Sequence, residues 1–189
     1  MCHALLQNPN FFRLLLRIDE ELADEARAAG CPCGGTLHRS DYPRKPRACP
    51  NEVRADFESR FSFCCSRCRK RTTAISVRFL GRRVYLSLAV VLVSALHMGQ
   101  VSAAAGISAL LGVPLRTLQR WRHWWQQLFV LTPLWQAACA RFMPSVESDQ
   151  LPGGLLERFA GPPEGAMMHL LLFLTPLTVS RPITLQEVR

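Results

Sequence analysis

The sequence predicts an α+β protein that is mostly α, in which a small module of strands and turns precedes a larger helical one. Three observations predict it. Residues 31 to about 80 are poor in helix formers and hold clustered cysteines among turn residues. Residues 82 to about 142 carry apolar side chains at helical spacing, with breaks at Gly99, Gly106 and Gly112-Val113-Pro114. An amphipathic stretch ahead of both reads as one further helix. The 189 residues therefore divide into an N-terminal helix (1–30), a cysteine module (31–81), a helical module (82–143) and a Pro/Gly-rich linker with an apolar tail (144–189).

The first helix is expected from Asn10 to Ala29, with Asn10 as its cap and Gly30 ending it. Phe11, Leu14, Leu15, Ile18 and Leu22 recur on one face, and Asp19, Glu20, Glu21, Asp24 and Glu25 are expected to solvate the other. This helix carries no visible chemistry and reads as scaffold or partner surface.

The cysteine module holds Cys31-Pro-Cys33-Gly34-Gly35 upstream and Cys65-Ser66-Arg67-Cys68 downstream. Two tight turns that each present two thiolates can surround a tetrahedral zinc ion, and glycines let the backbone fold over it. A short strand-rich segment with little core of its own gains most from such a staple. Cys31, Cys33, Cys65 and Cys68 are thus the candidate ligands of a structural Zn2+. The first pair is C-x-C, and the gap between the pairs exceeds the usual four-cysteine spacing. Cys64, Cys49 and His38 consequently remain open as substitutes. A redox C-x-x-C is the rival, but no thioredoxin-like βαβ pattern surrounds it. Nothing resembles the His/Glu set of a catalytic zinc. After the second pair, Ile75, Val77 and Phe79 alternate with Ser76 and Arg78 as in a half-buried strand.

Charge is distributed unevenly. The chain holds 23 Lys+Arg against 14 Asp+Glu, a net +9. From Ser59 to Val146 there is no acid, while Arg60, Arg67, Arg69, Lys70, Arg71, Arg78, Arg82, Arg83, Arg116, Arg120, Arg122 and Arg141 all fall there. Such an excess favours polyanions as partners. Arginine also suits bidentate contacts to phosphate and guanine. Arg67, Arg69, Lys70 and Arg71 sit on the second knuckle, where they can meet phosphates.

In the helical module, Ile107 to Leu111, the Gly112-Val113-Pro114 turn and a helix from Leu115 have helix-turn-helix proportions. Pro114 suits a first helical position. Leu118, Trp121, Trp125 and Leu128 form an expected buried stripe, and Arg116, Arg120, His123 and Gln127 an acid-free polar one. Arg116, Thr117, Gln119 and Arg120 lie in the first two turns, where a recognition helix reads base edges. His123 completes the candidate DNA-binding set. The apolar run Val84–Met98 is expected to prop the motif from behind. Trp124 reads as core, and Met167, Met168 and His169 as core or partner surface.

A zinc-ribbon knuckle pair (CPCGG … CCSRCRKRTT) followed by LGVPLRTLQRWRHWW resembles the DNA-binding region of bacterial insertion-sequence transposases and their accessory proteins, over roughly residues 31–130. The resemblance implies recognition of an element end or regulatory site, with zinc at the four cysteines. Such transposases continue into an RNase-H-like domain whose three carboxylates bind two metal ions. Here 59 residues follow Val130, with Glu147, Asp149, Glu157, Glu164 and Glu187 scattered among turns. The expectation is therefore an accessory, regulatory or relic protein that is not an enzyme.

Double-stranded DNA is the expected partner, with a transposase or a second copy of the chain as further candidates. The apolar runs Val84–Met98 and Ala166–Val179 fall short of the ~20 residues that span a bilayer. With no signal peptide in the N-terminal residues, a cytoplasmic location is expected. The alternatives are a protein–protein adaptor that uses the ribbon and the tryptophan-rich helix, and a small membrane-associated protein.

Overall fold

The computed structural model describes residues 2–47, 49–80, 85–96 and 112–179. Its architecture is α+β and mostly α. Helix α1 (Cys2–Leu5) leads into the long α2 (Pro9–Ala28). Asn8, not Asn10, caps α2: its side chain accepts from the backbone N–H groups of Asn10 and Phe11, and Pro9 fills the first turn. Two potential caps two residues apart are ambiguous by sequence, and the proline decides for the earlier one.

The cysteine module forms two small antiparallel sheets. Strand β1 (Leu37–Arg39) pairs with β4 (Ser62–Cys65), which pairs with β5 (Arg71–Thr73). Strands β2 (Tyr42–Pro43) and β3 (Ser59–Arg60) form the second sheet. Ala23 of α2 packs with Leu37, Phe61, Phe63, Cys65 and Ala74. The helix thereby supplies the apolar cover that strands this short cannot make for themselves.

Residues 75–79 are not the expected half-buried strand. Ser76 and Arg78 are buried along with Val77 and Phe79, and only Phe79 makes an isolated bridge, to Leu86. The cause is Asp19, which is 2% exposed rather than solvated. Its carboxylate accepts from the Ser76 hydroxyl at 2.6 Å, the Val77 N–H at 2.7 Å and Arg78 Nε at 2.7 Å. These bonds draw the segment onto α2 and take the place of a strand ladder.

Helix α3 (Ser87–Leu96) is buried from Ser87 to Ser94, and Val90 and Val93 pack behind Leu118 and Trp121 of α4 (Leu115–His123). Tyr85 meets Trp121 edge-on at 5.0 Å. Gly112, at φ +59, makes the expected turn, and Pro114 takes the cap position just before α4. Residues Ile107 to Leu111, the expected first helix of the motif, lie outside the described residues, as do Arg82 and Arg83.

Beyond His123 the helix continues with π winding over Trp124–Leu128, then a 3-10 turn Phe129–Leu131. Looser winding advances the register by about one residue per turn. Leu128 is consequently 50% exposed, and Phe129 takes its expected place in the core beside Trp125. Trp124 is half-buried against the same two rings.

The segment from residue 144 does not behave as a linker. After α5 (Pro133–Ala138), α6 (Gly153–Leu156) and α7 (Pro163–Phe173) deliver Leu155, Met167, Leu170 and Leu171 to the core that also holds Phe11, Phe12 and Phe57. His169 stays exposed. Among the described residues no helix is long and apolar enough to cross a membrane.

Candidate metal centre and basic surfaces

The pairing of β1 with β4 sets Leu37 opposite Cys65, so the turn before β1 lies beside the turn after β4. In the first turn the Gly34 N–H donates to the Cys31 carbonyl at 2.8 Å, with Gly34 at φ +75. In the second, the Arg69 N–H returns to the Cys65 carbonyl at 3.1 Å and Arg69 itself takes φ +57. The two turns are fastened together by Ser66 N–H to the Thr36 carbonyl at 2.8 Å and by Arg67 Nη1 to the Cys33 carbonyl at 3.0 Å. Gly35 is required where the turns touch: a Cβ there would lie 2.5 Å from Cys65 Sγ and 2.7 Å from Arg67 Cβ.

The result gathers Cys31, Cys33, Cys65 and Cys68, whose sulfurs all lie within 4.8 Å of one another. Sγ of Cys33 lies 3.4 Å from those of Cys31 and Cys65, and Cys31 Sγ lies 3.5 Å from Cys68 Sγ. A tetrahedron of thiolates about 2.3 Å from a central ion has sulfur–sulfur edges of about 3.8 Å, close to this arrangement. The Cys68 N–H points at Cys65 Sγ at 3.5 Å. That N–H draws the Cys65 thiol down to about 6 against the effect of burial, helped by the Arg67 N–H and the Cys33 and Cys31 thiols. Cys31 moves the other way. The Cys33 N–H lowers it, but the Cys33 thiol, burial and the Cys68 and Cys65 thiols together push it up to about 12. The surroundings thus favour the thiolate at Cys65 and the protonated thiol at Cys31. A metal cation at the centre would be held by these four sulfurs and would take the place of their protons. The four cysteines are a site that could hold a metal ion.

The open substitutes lie elsewhere. Cys64 and His38 are paired across β1 and β4 one residue out of phase with Leu37 and Cys65, which puts them on the opposite face of the sheet. Cys49 is buried in the main core, where desolvation pushes its thiol up to about 11.

Of the basic residues, Arg67, Arg69, Lys70 and Arg71 are exposed around the second knuckle. Arg67 spends one guanidinium nitrogen on the Cys33 carbonyl, and Arg71 donates to Ser40 Oγ at 2.9 Å while lying over the Tyr42 ring. On α4, Arg116, Gln119, Arg120, His123 and Gln127 are exposed. Thr117 is not: it is 5% exposed and faces the interior, where its Oγ1 accepts from Arg120 Nη2 at 3.1 Å. Arg120 and His123 also rim a cleft floored by Trp121, Trp124 and Leu80.

Arg60 and Arg78 are removed from the surface set altogether. Arg60 is 3% exposed and bonds the Ala74 and Thr178 carbonyls. Arg78 is held by Asp19 among three aromatic rings. Sequence reasoning missed Tyr42, an exposed aromatic side chain beside the knuckle, because a lone Tyr-Pro between turns carries no periodic signal. No protein-family model, curated protein or solved structure matches the chain.

Proposed function

We propose that the protein is a zinc-stabilised, sequence-specific DNA-binding protein of the kind that serves a mobile element, with no catalytic centre of its own. The carrying observation is the exposed face of α4. Arg116, Gln119, Arg120 and His123 share it without any acid, on a helix anchored by Leu118 and Trp121. An ordinary solvated helix face mixes acids with bases for i,i+4 pairing, and this one does not. Four thiolate ligands with no open position fit structural zinc, which would fix the two knuckles and hold Arg69 and Lys70 toward phosphates. Thr117 takes an indirect role, steadying Arg120 from inside the helix.

The test is selection of bound duplexes from a random pool, followed by titration at several salt concentrations. Replacing Arg69 and Lys70 with Ala should weaken all duplexes alike, each lost contact flattening the log–log salt slope by about 0.9. Arg120→Ala should instead relax preference at particular positions, by about 1–3 kcal/mol for a bidentate base contact. A pool that yields no consensus sequence rejects sequence-specific recognition.

A second reading, as an adaptor, draws on Leu128 and Leu131, which are 50% and 72% exposed at the end of the same helix. That apolar step suits a protein partner such as a transposase or a second copy of the chain. Retention of a partner at high salt would favour it, since apolar contacts are not screened.

A further inference from the structure

The cysteine module has a second face, turned away from the four sulfurs. Strand pairing places His38 opposite Cys64 and Cys64 opposite Arg71, so these three residues form one row across the outer surface of the sheet. The neighbouring rows alternate correctly, with Leu37, Phe63 and Cys65 buried on the inner side. His38 and Arg71 are exposed. At the Arg71 end, the guanidinium carbon lies 4.2 Å from the centre of the Tyr42 ring. Arg71 Nη2 is held by Ser40 Oγ at 2.9 Å, and Ser40 is fixed in turn by two bonds with Ser62, through its N–H at 2.8 Å and its carbonyl at 2.7 Å. The guanidinium is therefore held over the tyrosine ring, although both side chains face solvent and Tyr42 is 38% exposed.

An exposed arginine normally samples many rotamers, and fixing one costs side-chain entropy. Here the fixed group is a planar cation held over an exposed aromatic ring, a pair of π surfaces against which a further flat, electron-rich ring can stack. The acid next to Tyr42 in the chain is already engaged: Asp41 is held by Arg39 at 2.7 Å and by the Ser62 N–H at 3.1 Å. Exposed Arg69 and Lys70 immediately precede Arg71, and exposed Lys45 follows β2. His38 offers another flat ring two strands away, about 10 Å along the row. Stacking surfaces interleaved with cations are the recognition chemistry of unpaired nucleotides, whose bases expose π faces that a duplex hides.

We infer that this outer face binds single-stranded nucleic acid, with the Tyr42–Arg71 stack as the platform for an unpaired base and Arg69, Lys70 and Lys45 as its phosphate contacts. The inference extends the reading of the chain as a nucleic-acid-binding protein and adds a second mode to it. The helix α4 would engage paired DNA and the ribbon the strand released where a duplex ends or opens.

The experiment measures binding of the zinc-loaded full chain to a 12-mer of deoxyuridine, a 12-mer of uridine and the selected duplex. Tyr42→Leu should lower affinity for a 12-mer by about 5- to 150-fold, the range for loss of one stacked base, and leave the duplex unchanged. Tyr42→Trp should retain or tighten strand binding, and Arg71→Lys should weaken it although the charge remains. Melting temperature and zinc content of each variant separate these effects from simple unfastening of β2 from β5. Which 12-mer shows the Tyr42 dependence identifies the sugar. Strand binding within twofold of the parent in Tyr42→Leu overturns the inference, as does equal weakening of strand and duplex, or failure of the parent to bind either 12-mer. Those results leave duplex recognition by α4 standing, whereas a parent that binds neither strands nor any duplex sinks both readings.

Discussion

Asp19→Ala is expected to be among the most damaging single substitutions in the chain, and its cost follows from the geometry around it. The carboxylate accepts three hydrogen bonds, all between 2.6 and 2.7 Å, from Ser76, Val77 and Arg78. Arg78 has no exposed side-chain surface; Nη1 and Nη2 reach the Asp56 and Ser59 carbonyls, and the guanidinium carbon stands 4.7–5.1 Å from the rings of Phe57, Phe61 and Phe79. The rings and carbonyls soften an isolated cation but do not neutralise it. Removing one member of such a pair costs about 3–5 kcal/mol, a large part of the ~5–15 kcal/mol that holds a domain folded. Replacing both members costs less than the first loss alone implies, because no charge is then stranded. Urea unfolding of the protein, followed by tryptophan fluorescence, measures this directly. Asp19→Ala should lose about 3–5 kcal/mol, Asp19→Ala with Arg78→Met should recover part of it, and exposed Glu21→Ala should stay within about 0.5 kcal/mol of the parent. A loss below about 1 kcal/mol for Asp19→Ala would refute the view that this pair ties α2 to the segment after β5. Strict additivity in the double variant would refute the coupling.

Two further outcomes concern the metal. The purified protein should carry about one zinc per chain, abolished in Cys65→Ser,Cys68→Ser and retained in Cys64→Ser and Cys49→Ser, as read by metal analysis. Full occupancy in the first double variant would exclude the four-cysteine site. Gly35→Ala drives a methyl to 2.5 Å from Cys65 Sγ, so it should lose zinc to a chelator that leaves the parent loaded. Gly34→Ala meets no atom within 4 Å and should cost only its left-handed backbone, about 1–2 kcal/mol, with the metal kept.

What could be read from the sequence is what depends on near neighbours along the chain. The sulfur pairs are set by turns of four or five residues, so Cys31, Cys33, Cys65 and Cys68 were legible despite an unusual gap between the pairs. The anchoring of α4 by Leu118 and Trp121 follows from helical periodicity. The failures share a different origin. Asp19 and Arg78 lie 59 residues apart, and each alone looks like ordinary surface charge. Nothing local marks the π winding that turns Leu128 outward. The Gly/Pro-rich stretch after residue 144 looks like a linker until it meets an element far away, as where Asn8 donates to Glu164 at 3.0 Å across 156 residues.

The same distinction changes what the net charge means. Of the twelve cations in the acid-free stretch, Arg60 and Arg78 are consumed inside, and Arg82 and Arg83 lie outside the described residues. Arg67, Arg69, Lys70, Arg71, Arg116, Arg120, Arg122 and Arg141 remain, all exposed. Among the described residues the two ion pairs are Arg39–Asp41 and Arg78–Asp19, and neither uses any of these eight. Among the described residues, therefore, no acid neutralises them at contact distance. Surface ion pairs contribute little to stability, so their absence costs the fold almost nothing. Their positive potential extends outward over about a Debye length, ~8–10 Å at ordinary ionic strength, and would draw in a polyanion before any contact forms. Folding has taken two arginines out of that field and left it on the knuckle, on α4 and at Arg141.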